Sequence, residues 1–440
     1  MSEWKKVKIG EIFAIEKGSL QSSKNTAGNY NFITAASDWK THNTYDHDCE
    51  AIVYAVAASG SLGRAHYVNG KFIASDLCFI LTEKDKKQYP INFLFYQLIF
   101  EMMREEIVSH TKTGTSKESI NRTNFSNYEI PYFSIEYQQQ NYQRLVDSKN
   151  KIILIDEELE KQKEYTKQLR QNILQDAIEG KLTADWRAQH PVIKGNPDYD
   201  AEALFEKIQK IKKSLKNDLL VKREKARPSI SSNEKEFDIP RGWIWSRMGE
   251  LCYPITKGTT PEVHEIKAEG EIPYLKMFNI VNQKIDFDYR PQYISKKIHE
   301  EKLARSKVFP NDVIMNIVGP PMGKIAIIPD EFPEWNLNQA MAIFRGYDIS
   351  INPYIYIFLN SMVWFKYVHT LGVVGQENMS LAQCKDIIVS LPPLAEQKEI
   401  VARVEAKLQS VTALENQIAE REQLIKQLMQ SILKDAFEEK

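Results

Sequence analysis

QLRQNILQDAIEGK, running from Gln168 to Lys181, and QLMQSILKDAFEEK, running from Gln427 to Lys440, agree at nine of fourteen positions. A long internal repeat decides the architecture before any local reading does. Working outward from these segments, the repeat extends over the chain. Gly10-Glu11 and Lys17-Gly18 recur as Gly249-Glu250 and Lys257-Gly258, each set preceded by a tryptophan, Trp4 and Trp245. Gly63 matches Gly323, and Ile91, Asn92 and Tyr96 match Ile351, Asn352 and Tyr356. His110-Thr111 returns as His369-Thr370, and Gly114, Ser119 and Pro131 align ungapped with Gly375, Ser380 and Pro392. The chain is therefore read as two copies of one unit.

The end of each copy is helical. From Glu396 to Lys440 the sequence is charged and free of glycine, and Pro392-Pro393 precede it where a missing N–H costs nothing. Val404, Val411, Ile418, Ile425 and Ile432 fall every seven residues, with Leu408, Leu414, Leu428 and Met429 assigned to the same face. The matching positions in the first copy are Leu145, Ile152, Leu159, Thr166 and Ile173, with Ile155 and Leu169 beside them. A heptad stripe this long must pair, and the nearest partner is the other copy. Gly180 is the natural left-handed residue to stop the first helix.

Ahead of each helix lies a region of β-branched and aromatic runs, AIVYAVA and KFIASDLCFIL in the first and DVIMNIV and GKIAIIP in the second, broken by Gly, Pro and Asn. The expected fold class is α+β: two strand-rich domains, residues 1–133 and 239–394, with a helix and linker at 134–238 and a C-terminal helix at 395–440. The two long helices are expected to form an antiparallel coiled coil with pseudo-two-fold symmetry. The stretch between Thr183 and Asp238 has no second copy. Nine Lys or Arg lie between Phe205 and Arg227 against Glu206, Asp218 and Glu224, which reads first as a solvated helix face and second as a phosphate or subunit contact.

Composition narrows the function. At 440 residues, 42% hydrophobic and 27% charged, the chain is long enough for about three folded units and is neither collagen-like nor low in complexity. Fifty-eight basic against fifty-nine acidic residues give a net charge of -1, so any nucleic-acid surface must come from local asymmetry. Four cysteines without a C-x-x-C pair fit a reducing, cytoplasmic setting and argue against a zinc site, and no metal ligand set is expected. Neither a membrane span nor a signal-peptide core is read from the sequence.

Motifs for catalysis are missing. Asn196-Pro197-Asp198-Tyr199 lacks the second proline of the amino-methyltransferase N-P-P-Y turn and sits in a polar linker. Gly319 to Lys324 is one spacer short of a P-loop and has Ile325 where a hydroxyl would reach magnesium, so a turn beside a strand is expected there. There is neither H-E-x-x-H nor G-x-S-x-G. No catalytic residue is assigned.

The polar residues that could carry function cluster in loops. In the first domain these are Lys17, Ser19, Lys24 and Asn25; Ser59, Ser61 and Arg64; and His110, Lys112, Thr113, Ser116 and Lys117. In the second they are Lys257, Thr259 and Thr260; Lys324; Asn336, Asn338 and Gln339; and Gln376 and Asn378. Such donors suit base edges and phosphates. From these, the expected DNA-binding residues are Lys17, Ser19, Arg64, Lys112, Thr113, Ser116, Lys117, Lys257, Thr259, Thr260, Lys324, Asn336, Gln339 and Gln376.

Three segments carry a family resemblance: IVSLPPLAEQKEIVARVEA (Ile388 to Ala406), ILQDAIEGKLT (Ile173 to Thr183) and IPRGW (Ile239 to Trp243). They are similar to signatures of the specificity subunits of type I restriction-modification systems, and the match spans essentially the full length. The resemblance implies two target recognition domains that each read half of a split double-stranded DNA sequence. It implies two helices that separate them and dock two methylation subunits, with restriction and translocase subunits completing the complex. S-adenosylmethionine, ATP and magnesium would then sit on those partners, and no cofactor on this chain. Ile135-Glu136-Tyr137-Gln138-Gln139 departs from P-P-L-A-E-Q, so the first helix is expected to begin less sharply. A self-sufficient methyltransferase or nuclease would need a fused catalytic domain, and a coiled-coil scaffold would not explain two elaborated, divergent domains.

Overall fold

The computed structural model describes residues 5–58, 60–114, 118–319, 321–367 and 378–437. Trp4, His369, Thr370, Gly375 and Glu439, used in comparing the copies, lie outside them. The chain divides into two units, residues 1–163 with 417–440, and residues 164–416.

The first unit is built on a six-stranded sheet in the order Phe13–Lys17, Cys78–Glu83, His47–Ala55, Ala65–Ala74, Tyr30–Ile33, Lys40–His42. Its central run, Ala51 to Ala55, is buried throughout. Strand alternation explains how a continuous apolar run is used. Ile52 and Tyr54 face a cluster with Phe79, Leu81 and the helix Phe93–Met102, while Ala51, Val53 and Ala55 face a second cluster with Ile33, Phe72 and Ile80. The Asn92 side chain caps that helix at the Phe95 N–H.

The second unit uses the same device with two four-stranded sheets, Thr256–Lys257, Met341–Phe344, Val313–Asn316, Ile325–Ile327 and Tyr293–Ile294, Ile272–Leu275, Trp335–Leu337, Lys307–Val308. Val313 and Met315 face the main core and Ile314 faces the cluster around Trp335 and Leu337.

In each copy a two-stranded antiparallel pair leads into the long helix: Lys5–Lys8 with Glu129–Tyr132, and Ile244–Arg247 with Ile388–Leu391. These strands put Lys5 in register with Ile244. Likewise the short helix Leu381–Asp386 is capped by Ser380 where Arg122–Asn127 is capped by Asn121. The ungapped match of Ser119 and Pro131 to Ser380 and Pro392 is therefore two residues out of structural register.

The long helices run from Ile135 to Ile178 and from Leu394 to Phe437, 44 residues each, and begin at equivalent points. The less sharp start expected at Ile135 is not found. Gln138 is fully buried, donating to the Phe133 and Pro90 carbonyls and accepting from the Asn92 N–H, just as Gln397 donates to Pro392 O at 2.8 Å. The glutamine, and not the preceding prolines, is what the two starts share.

The helices pair antiparallel within each unit. In the first, Lys163 meets Glu422, Arg421 reaches Gln162, and Ile432 packs on the cluster containing Leu145. In the second, Arg170 contacts Glu415 at 2.9 Å and Thr412, and Ile173 shares a core with Val404 and Val411. Leu145, Ile152, Leu159, Thr166, Ile173, Val404, Val411 and Ile418 are buried; Ile425 and Ile432 are partly so. Of the companion positions, Leu408 is half-buried against the core and the Met429 side chain lies outside those described, whereas Ile155 and Leu169 are each 43% exposed and Leu414 and Leu428 each 44%. In this pair one line of residues per helix is buried, and the neighbouring line stays open.

Residues 184–238 are not a detached linker. The helix Ala201–Ser214 buries Ala201, Leu204 and Ile208 in the second unit, and its Lys207 and Lys212 bind Asp348 and Glu250 at 2.7 and 2.8 Å. The Pro197 and Asp198 carbonyls accept the Leu394 and Ala395 N–H groups at 3.1 Å, so the Asn196–Tyr199 turn caps the last long helix. All three family-like segments meet at Glu396, which is 1% exposed. Its carboxylate accepts from Thr183 Oγ1 and Trp243 Nε1, both at 2.7 Å, and from Arg187.

Candidate nucleic-acid interface

The six-stranded sheet brings Lys17, Arg64 and the Lys112–Thr113 hairpin of the first domain together. Lys17 is opposite Phe79, Cys78 is opposite Ala55, and the Ala55 N–H donates to the Arg64 carbonyl at 2.8 Å. The Ile120 N–H donates to Val56 O at 2.8 Å, which brings in the hairpin of Lys112–Thr113 and Ser119–Ile120. Gly18 makes the approach possible, since a Cβ there would lie 2.1 Å from the Ser75 carbonyl oxygen.

The edge of the second unit is built the same way. The Gly258 N–H donates to Met341 O at 3.0 Å, Met341 is opposite Asn316, and the Asn316 N–H donates to Lys324 O at 2.8 Å. A Cβ on Gly258 would lie 2.0 Å from the Asn338 carbonyl oxygen. In both units a Lys-Gly pair thus presses the loop onto the neighbouring strand and leaves the lysine, Lys17 or Lys257, exposed.

The individual side chains differ in how much they can offer a ligand. Lys257, Thr260 and Gln339 are exposed, and Thr259 is half-buried with its hydroxyl bonded to Arg305 Nε at 3.1 Å. Lys324 donates to Ile280 O at 3.2 Å. Arg64 donates to Ala35 O at 3.0 Å and to Ser61, so it pins the 35–39 loop. Lys112 is exposed but ion-paired to Glu118 at 2.7 Å, with Thr113 beside it. Ser19 donates to Asp46 at 2.6 Å. Burial alone would lower the pKa of the nearby His47, yet hydrogen bonds to Asp46 and Glu16 raise it above its ordinary value. The Lys17 corner is therefore mixed in charge and not a segregated basic face.

Asn336 requires a correction. It is fully buried, its Nδ2 faces His299 Nδ1 at 3.0 Å and donates to Leu303 O at 3.1 Å, and its Oδ1 accepts the Leu337 N–H. A polar side chain inside must be satisfied inside, and this one supports the strand instead of facing a ligand. Ser116, Lys117 and Gln376, with Ser59, lie outside the described residues. Two residues at these edges were missed: Arg305 beside Thr259, and Trp39, 38% exposed with its Nε1–H on His66 at 3.2 Å. An exposed tryptophan in the polar run SDWKTH was the available signal.

One grouping of possible metal ligands occurs among the described residues, His299, Glu300 and Glu334. It is accounted for by existing partners: His299 Nε2 hydrogen-bonds Glu334 at 3.1 Å and Glu300 pairs with Lys307 at 2.5 Å. Burial first of all pulls the His299 pKa down.

Two edges built alike on repeated domains are what a reader of two DNA segments requires, and comparison with known proteins decides the matter. The model of the type I restriction modification DNA specificity domain matches residues 1–164 and 240–422. The chain belongs to that family. It is 24% identical over 460 residues to the type I restriction enzyme EcoDI specificity subunit of Escherichia coli, covering 99% of this chain and 88% of that one. It is 30% identical over 208 residues to the EcoBI specificity subunit of the same species, covering 45% of this chain and 42% of the relative. A solved chain from work on assembly and conformational transition of the type I R-M system superposes with a TM-score of 0.60 at 17% identity, over 99% of this chain and 98% of that one, a likeness of fold. Members of this family are the specificity subunits of type I restriction-modification systems. The work of this chain is accordingly DNA sequence recognition in a restriction-modification complex, and it is not itself the enzyme. Among the described residues, no helix is long and apolar enough to cross a membrane.

Proposed function

We propose that this specificity subunit reads a bipartite target on double-stranded DNA, one half-site through each edge, with an unread spacer between. The observation that carries the reading is the repeated construction of the two edges, each with an exposed lysine on a glycine-packed loop. Two methylation subunits dock on the long helices, and restriction and translocase subunits join them in the cytoplasm. S-adenosylmethionine, ATP and magnesium are held by those partners. The half-exposed positions of the helices support the docking: Ile155 and Leu428 in the first unit, Leu169 and Leu414 in the second, offer an apolar line to partner helices.

Exchanging residues 1–133 for the equivalent domain of a relative tests the modular reading. Mapping of methylated adenines in a host carrying the hybrid and the methylation subunit should show one half of the target changed and the other retained. A change in both halves together would rule out independent readers.

A further inference from the structure

The segment 184–238, present in one copy only, carries charge that the fold does not consume. Of its nine basic residues between Phe205 and Arg227, three are spent internally. Lys207 binds Asp348, Lys212 binds Glu250, and Arg227 binds Asp386 at 3.0 Å. These contacts and the buried Leu204 and Ile208 fix the helix Ala201–Ser214 to the second unit, so what it displays is displayed rigidly. The other six, Lys210, Lys213, Lys216, Lys222, Arg223 and Lys225, are all exposed. Two of the three acidic residues in the stretch cannot neutralise them. Asp218 accepts from Tyr253 Oη at 2.7 Å and caps the Leu220 and Val221 N–H groups. Glu224 is held by Lys385 and Arg227.

This ridge is continuous with the recognition edge of the same unit. Leu220, between the two halves of the ridge, lines a cleft of about 190 Å³ together with Tyr253, Thr256 and Arg305. Arg305 is exposed on the far side and hydrogen-bonded to Thr259, next to Lys257. The ridge at Leu220 and the exposed Arg305, with Lys257 next to Thr256, thus border one cleft of the second unit. The two other cations of the cleft, Lys307 and Arg345, are neutralised by Glu300 and Asp312.

We propose that this ridge is a sequence-independent clamp for the DNA phosphate backbone flanking the half-site read by the second unit. The inference rests on DNA recognition by this chain and adds a contact outside the recognition loops. Evenly exposed Lys and Arg without short polar companions suit phosphate neutralisation and carry no base readout. The clamp would make the two half-sites unequal, because the first copy has no such segment.

The test uses the full chain assembled with its methylation subunits, wild type and the triple variant Lys222→Gln, Arg223→Gln, Lys225→Gln. Binding is measured over a series of salt concentrations to a duplex carrying the methylated target and to one of scrambled sequence. Loss of three phosphate contacts should reduce the slope of log affinity against log salt by roughly 2.7, about 0.9 per contact. Affinity should fall by the same factor on both duplexes, the methylated sequence should not change, and a triple variant to the other basic residue at each position should restore the slope. An unchanged slope overturns the proposal, and if retention of methylation subunits falls at the same time the ridge is a protein contact instead. Failure of the wild-type assembly to prefer its target would refute DNA recognition itself, a different outcome from an unaltered slope in the variant.

Discussion

Glu396 shows how much a single residue of a sequence signature can do without touching a ligand. Its buried carboxylate is satisfied by Thr183 and Arg187 from the segment after the first long helix and by Trp243 from the start of the second domain. Truncation leaves Arg187 and the Trp243 N–H without their acceptor. Glu396→Ala should therefore cost about 3–5 kcal/mol in denaturant unfolding of the full chain, and Glu396→Gln less. An unshifted midpoint for Glu396→Ala would show that the cluster is not a stabilising joint. The sequence made the segments conspicuous but not their meeting, since no local pattern encodes contacts between Thr183, Trp243 and Glu396. The same limit explains Asn336: it stands one place before Leu337 in a polar-looking run, and only the packing of Trp335 and Leu337 shows that the strand lies inside. The exposure of Lys257, Thr260 and Gln339 was legible because a loop following a strand at a glycine contact remains outside.

Among elements, the long helices were the most legible, because a seven-residue period is written in the chain itself. What periodicity could not give is the number of helices around the seam. With only two, Val411 is 2% exposed and Leu414 is 44% exposed, although both belong to the apolar face. The two positions predict different phenotypes. Val411→Asp buries an unpaired charge and should lower stability by several kcal/mol. Leu414→Asp should leave the melting temperature within a degree or two of wild type and yet weaken co-purification of methylation subunits. Normal assembly of Leu414→Asp would remove the open apolar line as the docking surface. The segment 184–238 was least legible. Its helix Ala201–Ser214 has an apolar face, but its charge-rich composition gave that face no address, and the Leu204 and Ile208 contacts to the second unit became visible only in the fold.

For the whole molecule, the length of the paired helices should enter the target as distance. Extra residues just after Thr183 would not lengthen the pair: Thr183 is buried on Glu396 and Leu182 folds back on Asp176. The matched insertion is one heptad between Leu159 and Thr166 and another between Ile418 and Ile425, which face each other at Lys163 and Glu422, so the seam is kept. Seven helical residues add about 10 Å, on the order of three base pairs. We expect methylation mapping to find both half-sites unchanged with a spacer about three pairs longer. Affinity should be weaker, because three pairs rotate one half-site by roughly a hundred degrees around the duplex at about 10 to 10.5 pairs per turn. A variant that still modifies only sites of the original spacing would place the ruler elsewhere. The division of the chain carries one more consequence, for synthesis. Residues 417–437 belong to the first unit and pair with a helix segment that leaves the ribosome roughly 260 to 290 residues earlier. At about 5–20 residues per second this is a wait on the order of 10–50 s. During that interval Leu145, Ile152 and Leu159 are a nascent apolar stripe without its mate, so the amino-terminal reader is translated first and its helical spine is completed among the last.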